Sequence, residues 1–265
     1  MADNDAVLYA VNDRIATITL NRPEARNALS PDINATIIRM LRAADKDADI
    51  KCILIQANGE NFSAGGDVKN FSETLTLTPE QRYDQFEQRL LLATRLPNTL
   101  LETSKPIVVA TRGAVAGAGM ALCLAADFVI ASETTYFLAA HVHIGLSVDC
   151  GLSGLLIGAM GIKAAKRFTL LGEKMSSAEA LTLGVVTETV ADNELDAKVA
   201  KLVGRIAKGP STAMAGTKAL LNHAAYPGFG ALLQEEAVSI ARCVAKEDFR
   251  KGVEGALSRK PAAFD

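Results

Sequence analysis

Three short, unbroken apolar runs constrain this chain most: residues 52–55 (Cys-Ile-Leu-Ile), 107–110 (Ile-Val-Val-Ala) and 128–131 (Phe-Val-Ile-Ala). None alternates with polar residues, as a strand with one wet face would. Each gives way to turn residues, and helical periodicity returns between them. Strands buried on both faces and separated by helices imply parallel pairing with crossover connections. The runs are short and widely spaced. This pattern is shared by a flat doubly wound sheet and by a coiled, spiral arrangement of strands.

The two ends of the chain read differently. Residues 7–11 and 14–20 form a hairpin pattern turning at Asn12-Asp13, with Ile15, Thr17 and Thr19 alternating with Ala16, Ile18 and Leu20. Ser30-Pro31 is a helix start, an N-cap hydroxyl followed by a proline whose missing N–H costs nothing there. Ile33, Ile37, Leu41 and Ala44 then share one face. After residue 195 the strand signals stop. Segments 195–207, 211–224, 232–245 and 248–257 read as helices, broken at Pro210 and Pro227-Gly228. The expected division is an α/β core over residues 1–195 and a helical region over 196–265.

A hydrophobic share of 49% over 265 residues supports a sizeable core. The net charge of -2 leaves no basic footprint for nucleic acid. The most apolar stretch, 113–126, is too short and too rich in glycine to span a membrane. Met1-Ala2-Asp3-Asn4-Asp5 is acidic and polar, unlike the basic start of a secretory signal. Cys52, Cys123, Cys150 and Cys243 lack C-x-x-C spacing and read as reduced thiols of a cytoplasmic protein.

Two glycine-rich segments offer chemistry: Phe62-Ser63-Ala64-Gly65-Gly66-Asp67, and Gly113 through Ala121. Each follows a buried strand run. The second opens a helix, whose first turn has unpaired N–H groups and partial positive charge. Small side chains let an oxygen approach the backbone, and they equally let a helix pack closely on a strand. Two such segments together can hold one oxyanion between two N–H donors, each worth roughly 3–4 kcal/mol in an acyl-transfer site. Thr111-x-Gly113-x-x-x-Gly117-x-Gly119 also resembles the cofactor loop of short-chain dehydrogenases. Those enzymes need a downstream Tyr-x-x-x-Lys, whereas Tyr136 and Tyr226 are followed at that spacing by Ala140 and Gly230.

Asn21-Arg22-Pro23-Glu24-Ala25-Arg26-Asn27-Ala28-Leu29 is similar to the N-R-P-x-x-x-N-A-L segment of the crotonase (enoyl-CoA hydratase/isomerase) superfamily. Phe62 to Asp67 resembles its F-x-A-G-x-D segment, and Gly113 to Gly119 with Ala126-Asp127 its second glycine-rich segment. Leu171-Gly172-Glu173, Ser177-Ala178-Glu179-Ala180 and Leu183-Gly184-Val185-Val186 follow in the family's order. The resemblance covers nearly the whole chain. It implies a mixed α/β fold, a spiral of ββα turns with a helical C-terminal trimerisation region, and hence a homotrimer or a dimer of trimers. It also implies an acyl-coenzyme A substrate, with no cofactor beyond the coenzyme A of that thioester. The thioester carbonyl would sit between the N–H groups of Ala64 and Ala118. By family position Arg26, Ala28, Gly65, Gly66, Asp67, Val68 and Gly117 would line the site. Arg259 or Lys260 would reach a coenzyme A phosphate from a neighbouring subunit.

The chain departs from the family's hydratases where they carry two carboxylates, here Ala121 and His141. Hydration uses both acids to manage water and proton, and alanine transfers no proton. Asp149 falls where family isomerases carry their base. Moving a double bond needs one base that takes a proton from one carbon and returns it to another. Flanked by Leu146, Val148 and Cys150, Asp149 is expected in a partly desolvated setting. The competing role is a cap on the helix beginning near Gly151.

His141 and His143 would face one way on an extended segment. A metal site needs a third ligand, and His223 alone remains, in a distant helix, so no metal is expected. His141 is instead a candidate polar or proton-carrying residue of the pocket. Family dehalogenases use a histidine base early in the chain, and no histidine precedes His141. Residues 81–95, with Tyr83, Asp84, Glu87 and Arg89, are expected to roof the acyl pocket as an amphipathic helix. The reading is an enoyl-CoA isomerase with Asp149 as base. Its alternatives are a hydratase or other acyl-CoA lyase or hydrolase with atypical acids, and a non-catalytic coenzyme A-binding member.

Overall fold

A computed structural model describes residues 6–66 and 68–264, excepting the side chains of Val68 and Lys69. Its strands are β1 (Val7–Asn12), β2 (Ile15–Leu20), β3 (Cys52–Ala57), β4 (Ile107–Thr111), β5 (Ala114–Ala116), β6 (Phe128–Ser132), β7 (Tyr136–Leu138), β8 (Lys174–Ser176) and β9 (Glu188–Val190). Its helices are α1 (Pro31–Lys46), α2 (Val68–Glu73), α3 (Pro79–Ala93), α4 (Arg95–Glu102), α5 (Ala118–Leu124), α6 (Leu152–Leu171), α7 (Ser177–Thr182), α8 (Leu195–Ala207), α9 (Ser211–Ala225), α10 (Phe229–Val244) and α11 (Glu247–Ser258).

The hairpin pairs β1 with β2 from Val7 opposite Leu20 to Asn12 opposite Ile15. Its turn is Asp13-Arg14, one residue later than the sequence pattern implied. Asn12 stays in the ladder, and both turn residues take positive φ (49° and 68°), as a tight two-residue hairpin turn requires. From β2 onward the main sheet is parallel, in the order β1-β2-β3-β4-β6-β9. The three apolar runs are its central strands, as expected. A second sheet, β5-β7-β8, is built of three-residue strands too short to show a period in the sequence.

The central strands of the main sheet are buried on both faces. Ile18, Ile53, Ile55, Val109 and Val129 face a core completed by α1, α4, α5 and α6. The alternating residues Cys52, Leu54, Val108, Ala110 and Ile130 face Leu195, Val199, Val203 and Ile206 of α8. The first C-terminal helix thus forms one layer of the α/β core. A third cluster, with Phe86 and Leu90 of α3, Ile240 and Val244 of α10, and Phe249 and Val253 of α11, lies beside Leu146.

Local chemistry sets the helix ends. Ser30 accepts the Ile33 N–H at 3.3 Å ahead of Pro31. Reciprocal capping boxes start α3 (Thr78 with Gln81) and α7 (Ser176 with Glu179). Helix α10 begins at Phe229 rather than 232, directly after Gly228 in the left-handed region. Helix α9 is tied down by Lys218, whose Nζ lies 2.7 Å from Asp127 Oδ2. That oxygen also accepts the Ile107 N–H of β4 at 2.7 Å. Among the described residues no helix is long and apolar enough to cross a membrane.

Candidate active site

Buried Asn27 builds the approach to the site. Its Oδ1 accepts the Arg22 N–H at 2.8 Å, and its Nδ2 donates to the carbonyls of Asn58 (3.0 Å) and Asn61 (2.8 Å). This clamps the segment after β2 onto the segment after β3. Ser63 completes the clamp: its Oγ donates to the Asn27 carbonyl at 2.9 Å and accepts the Gly65 N–H at 3.2 Å. The two glycine-rich loops then press on each other. A Cβ at Gly119 would meet Ser63 Cβ at 2.5 Å, and one at Gly65 would meet the Ala116 carbonyl oxygen at 2.7 Å. The close-packing role of these small residues is therefore present alongside any ligand role.

Of the two expected donors, one is free and the other is not. Ala64 was expected to aim its N–H at a ligand. It donates instead to the Arg26 carbonyl at 2.9 Å, because the Asn27 clamp brings that carbonyl against the loop. Two residues on, the Gly66 N–H finds no acceptor among the described residues, and Gly66 lines a mostly apolar cavity. The same holds for Ala118, the first residue of α5, whose N–H precedes the helical ladder. Gly66 was expected only to line the site; the fold leaves its N–H, rather than that of Ala64, unpaired.

The cavity, of about 330 Å³, joins these donors to Asp149. Its walls are mostly apolar: Leu29 and Ile38 on one side, Phe86 and Leu90 of α3 on another, with Leu146 and Ile240. Helix α3 thus roofs the pocket as expected. Of its polar residues Arg89 lines the cavity, its guanidinium 5.5 Å from the Phe71 ring centre. Tyr83, Asp84 and Glu87 do not line it.

Asp149 does not cap α6. The N-cap of α6 is Gly151, and Asp149 Oδ1 instead lies 3.1 Å from His141 Nε2. The capping falls to Glu236 of α10, which accepts the N–H groups of Gly151 (2.7 Å) and Ser153 (2.9 Å). His141 is buried, and its Nδ1 has no partner among the described residues. Cys150 lines the same cavity; burial and the nearby Asp149 and Glu236 carboxylates push its thiol well up, so it stays protonated.

The remaining predicted residues divide. His143 does not share a direction with His141: the segment is a 3-10 turn, Ala140–Ile144, and His143 Nε2 meets the Gly172 carbonyl at 2.8 Å. At three residues per turn, positions two apart point away from each other. Ala121 packs into the core. Arg26 is exposed and Ala28 buried beside cavity-lining Leu29. Gly65 and Gly117 sit behind the cavity wall, in the loop–loop contact. Arg259 and Lys260 follow α11, exposed and not among the cavity-lining residues. Asp67 and the Val68 side chain lie outside the described residues.

Known proteins share this architecture. The family described as enoyl-CoA hydratase/isomerase matches residues 10–265. Trans-2-decenoyl-[acyl-carrier-protein] isomerase of Streptococcus mutans is 30% identical over 262 residues, covering 99% of this chain and 98% of the relative. The 1,2-epoxyphenylacetyl-CoA isomerase of Escherichia coli is 29% identical, with 97% of each chain covered. The crystal structure of an enoyl-CoA hydratase from Mycobacterium avium subsp. paratuberculosis superimposes with a TM-score of 0.88 at 29% identity, covering 98% of both chains. The matching sequence family, the shared fold and the two converging loops together establish that this chain belongs to the enoyl-CoA hydratase/isomerase family of the crotonase superfamily.

Proposed function

We propose that this enzyme moves a carbon–carbon double bond in an enoyl-coenzyme A thioester, with Asp149 as the single proton-shuttling base. One observation carries the reading: the unpaired N–H groups of Gly66 and Ala118 line the same cavity as the Asp149 carboxylate. The thioester oxygen accepts both N–H bonds. They strengthen as enolate charge collects on that oxygen, which acidifies the neighbouring C–H. Asp149 takes the proton from the carbon next to the carbonyl and returns it to the far end of the former double bond. The base is regenerated, and no water is consumed.

The residues at the hydratase acid positions support isomerisation over hydration. Ala121 carries no acid and faces the core. His141 is engaged with Asp149. Among the described residues, the other carboxylate lining the cavity is Asp32, exposed at the start of α1. Two of the relatives above are themselves named isomerases. Coenzyme A enters as part of the substrate, with Arg26 and Ala28 as its contacts by family position. The proposed homotrimer, or dimer of trimers, has apolar surface available at Leu170, Leu171, Leu220 and Leu221.

The test is a side-by-side assay of a 3-enoyl-CoA and a 2-enoyl-CoA thioester with the wild type and Asp149→Asn. Conversion of the 3-enoyl to the 2-enoyl isomer, lost in the variant by about 10²–10⁴-fold, is expected. A 3-hydroxyacyl product, or turnover unchanged by the substitution, overturns the reading.

A further inference from the structure

Glu236 stands on α10, remote in sequence from every motif, yet the residue is only 6% exposed and both carboxylate oxygens are engaged. Oε2 accepts the Gly151 N–H at 2.7 Å; Oε1 accepts the Ser153 N–H at 2.9 Å and the Ser153 hydroxyl. Burying a carboxylate is costly unless its oxygens are satisfied, and these donors at the start of α6 satisfy it. Helices α1, α3 and α7 are capped by a Ser or Thr immediately before them. Helix α6 is capped from another element.

The reason lies in the turn just before α6. Asp149 is the acid that a locally capped helix would use: it precedes Gly151 by two residues, and its own carbonyl accepts the Leu152 N–H at 3.0 Å. Its side chain is nonetheless turned away, toward His141 and the cavity. Between Asp149 and the helix, Cys150 (φ 57°) and Gly151 (φ 81°) are consecutive left-handed residues. A cysteine holds that conformation only where its surroundings impose it. Asp149 and Glu236 also line one narrow crevice between α3 and α10. A second carboxylate at the helix start is thus repelled by the first.

We propose that Glu236 is a positioning residue. It occupies the amide donors that Asp149 would otherwise cap and so keeps the Asp149 carboxylate facing the cavity. This rests on the reading of Asp149 as the base. It adds that the base is held in place by a residue of the C-terminal helices, which meets neither substrate nor reacting atoms.

The experiment measures kcat and KM for a 3-enoyl-CoA thioester in the wild type, Glu236→Ala, Glu236→Gln, Asp149→Asn and the Glu236→Gln/Asp149→Asn double variant. With its donors bare, Asp149 turns to cap α6. Glu236→Ala then lowers kcat by about 10- to 100-fold, the scale of a misplaced catalytic group, with KM changed less than about threefold. Glu236→Gln, isosteric and retaining one acceptor oxygen, loses less. In the double variant the Glu236 change lowers the residual rate no further than Asp149→Asn alone. Should Glu236→Ala fail to fold, Glu236→Gln and the double variant carry the same test. A kcat unchanged by either Glu236 substitution, or a full additive loss in the double variant, overturns the positioning role while leaving Asp149 as base. A rate unchanged by Asp149→Asn overturns the base itself.

Discussion

His141 Nε2 and Asp149 Oδ1 meet at 3.1 Å, while the other ring nitrogen of His141, Nδ1, is buried without a partner among the described residues. The tautomer with its proton on Nε2 donates to the carboxylate and leaves only a bare acceptor inside. His141 therefore fixes one oxygen of Asp149, and in the proposed reaction the other takes the substrate proton.

That pairing makes the histidine separable into donor and shape. His141→Gln keeps an N–H donor at a similar reach and is expected to hold kcat within a few-fold. His141→Leu keeps the bulk, removes the donor, and lowers kcat by about 10- to 100-fold. Steady-state kinetics of the two variants decide it; equal rates would show that the hydrogen bond has no part in turnover.

The oxyanion pair can be tested by deleting one backbone N–H. Ala118 is the first residue of α5, a position that suits proline because its N–H has no helical partner. Ala118→Pro should fold, yet lower kcat by about 10²–10³-fold, the loss seen when one such donor is removed. Circular dichroism confirms the fold and the enoyl-CoA assay reads the loss. The matching expectation for Ala64 is weaker, since its N–H already belongs to Arg26.

Burial raises the Glu236 pKa above 4.5, against the downward pull of Ser153 and Gly151, and the nearby Asp149 charge adds to the rise. The folded chain thus holds this proton more tightly than the unfolded chain. The group's contribution to stability is fully present below about pH 4.5 and is lost as pH rises through its raised folded value. Glu236→Gln removes that dependence. The difference in melting temperature, variant minus wild type, should therefore become more positive between about pH 4 and about pH 8. Thermal melts in buffers across that range check the sign.

Lys218 and Asp127 tie α9 to the sheet from side chains only 6% and 19% exposed. Lys218→Met leaves a largely buried carboxylate without its cation and should cost about 3–5 kcal/mol of unfolding free energy. Urea titration measures it. A cost below about 1 kcal/mol, the range of exposed pairs, would mean that water reaches Asp127 in solution.

The longer elements and the family were legible along the chain, whereas the three-residue strands of the second sheet were not. Unbroken runs at 52–55, 107–110 and 128–131 are central strands because apolar residues on both faces can be covered only between two layers. Ser30-Pro31 starts α1 because capping chemistry is local. The loops at Phe62 and Gly113 were legible because small residues are demanded by their mutual contact, whatever else they do. Tertiary structure decided which groups are left to act. Ala64 and Gly66 are two residues apart in one loop, and only the arrival of the Arg26 carbonyl separates the spent donor from the free one. Asp149 read as a base with a helix cap as its competing role, and it is Glu236, from α10, that takes the cap. Periodicity and capping are set by chain neighbours, so they can be read along the chain. Whether a donor or a carboxylate remains unsatisfied depends on partners brought in from far along the chain, and those are fixed only when the chain packs.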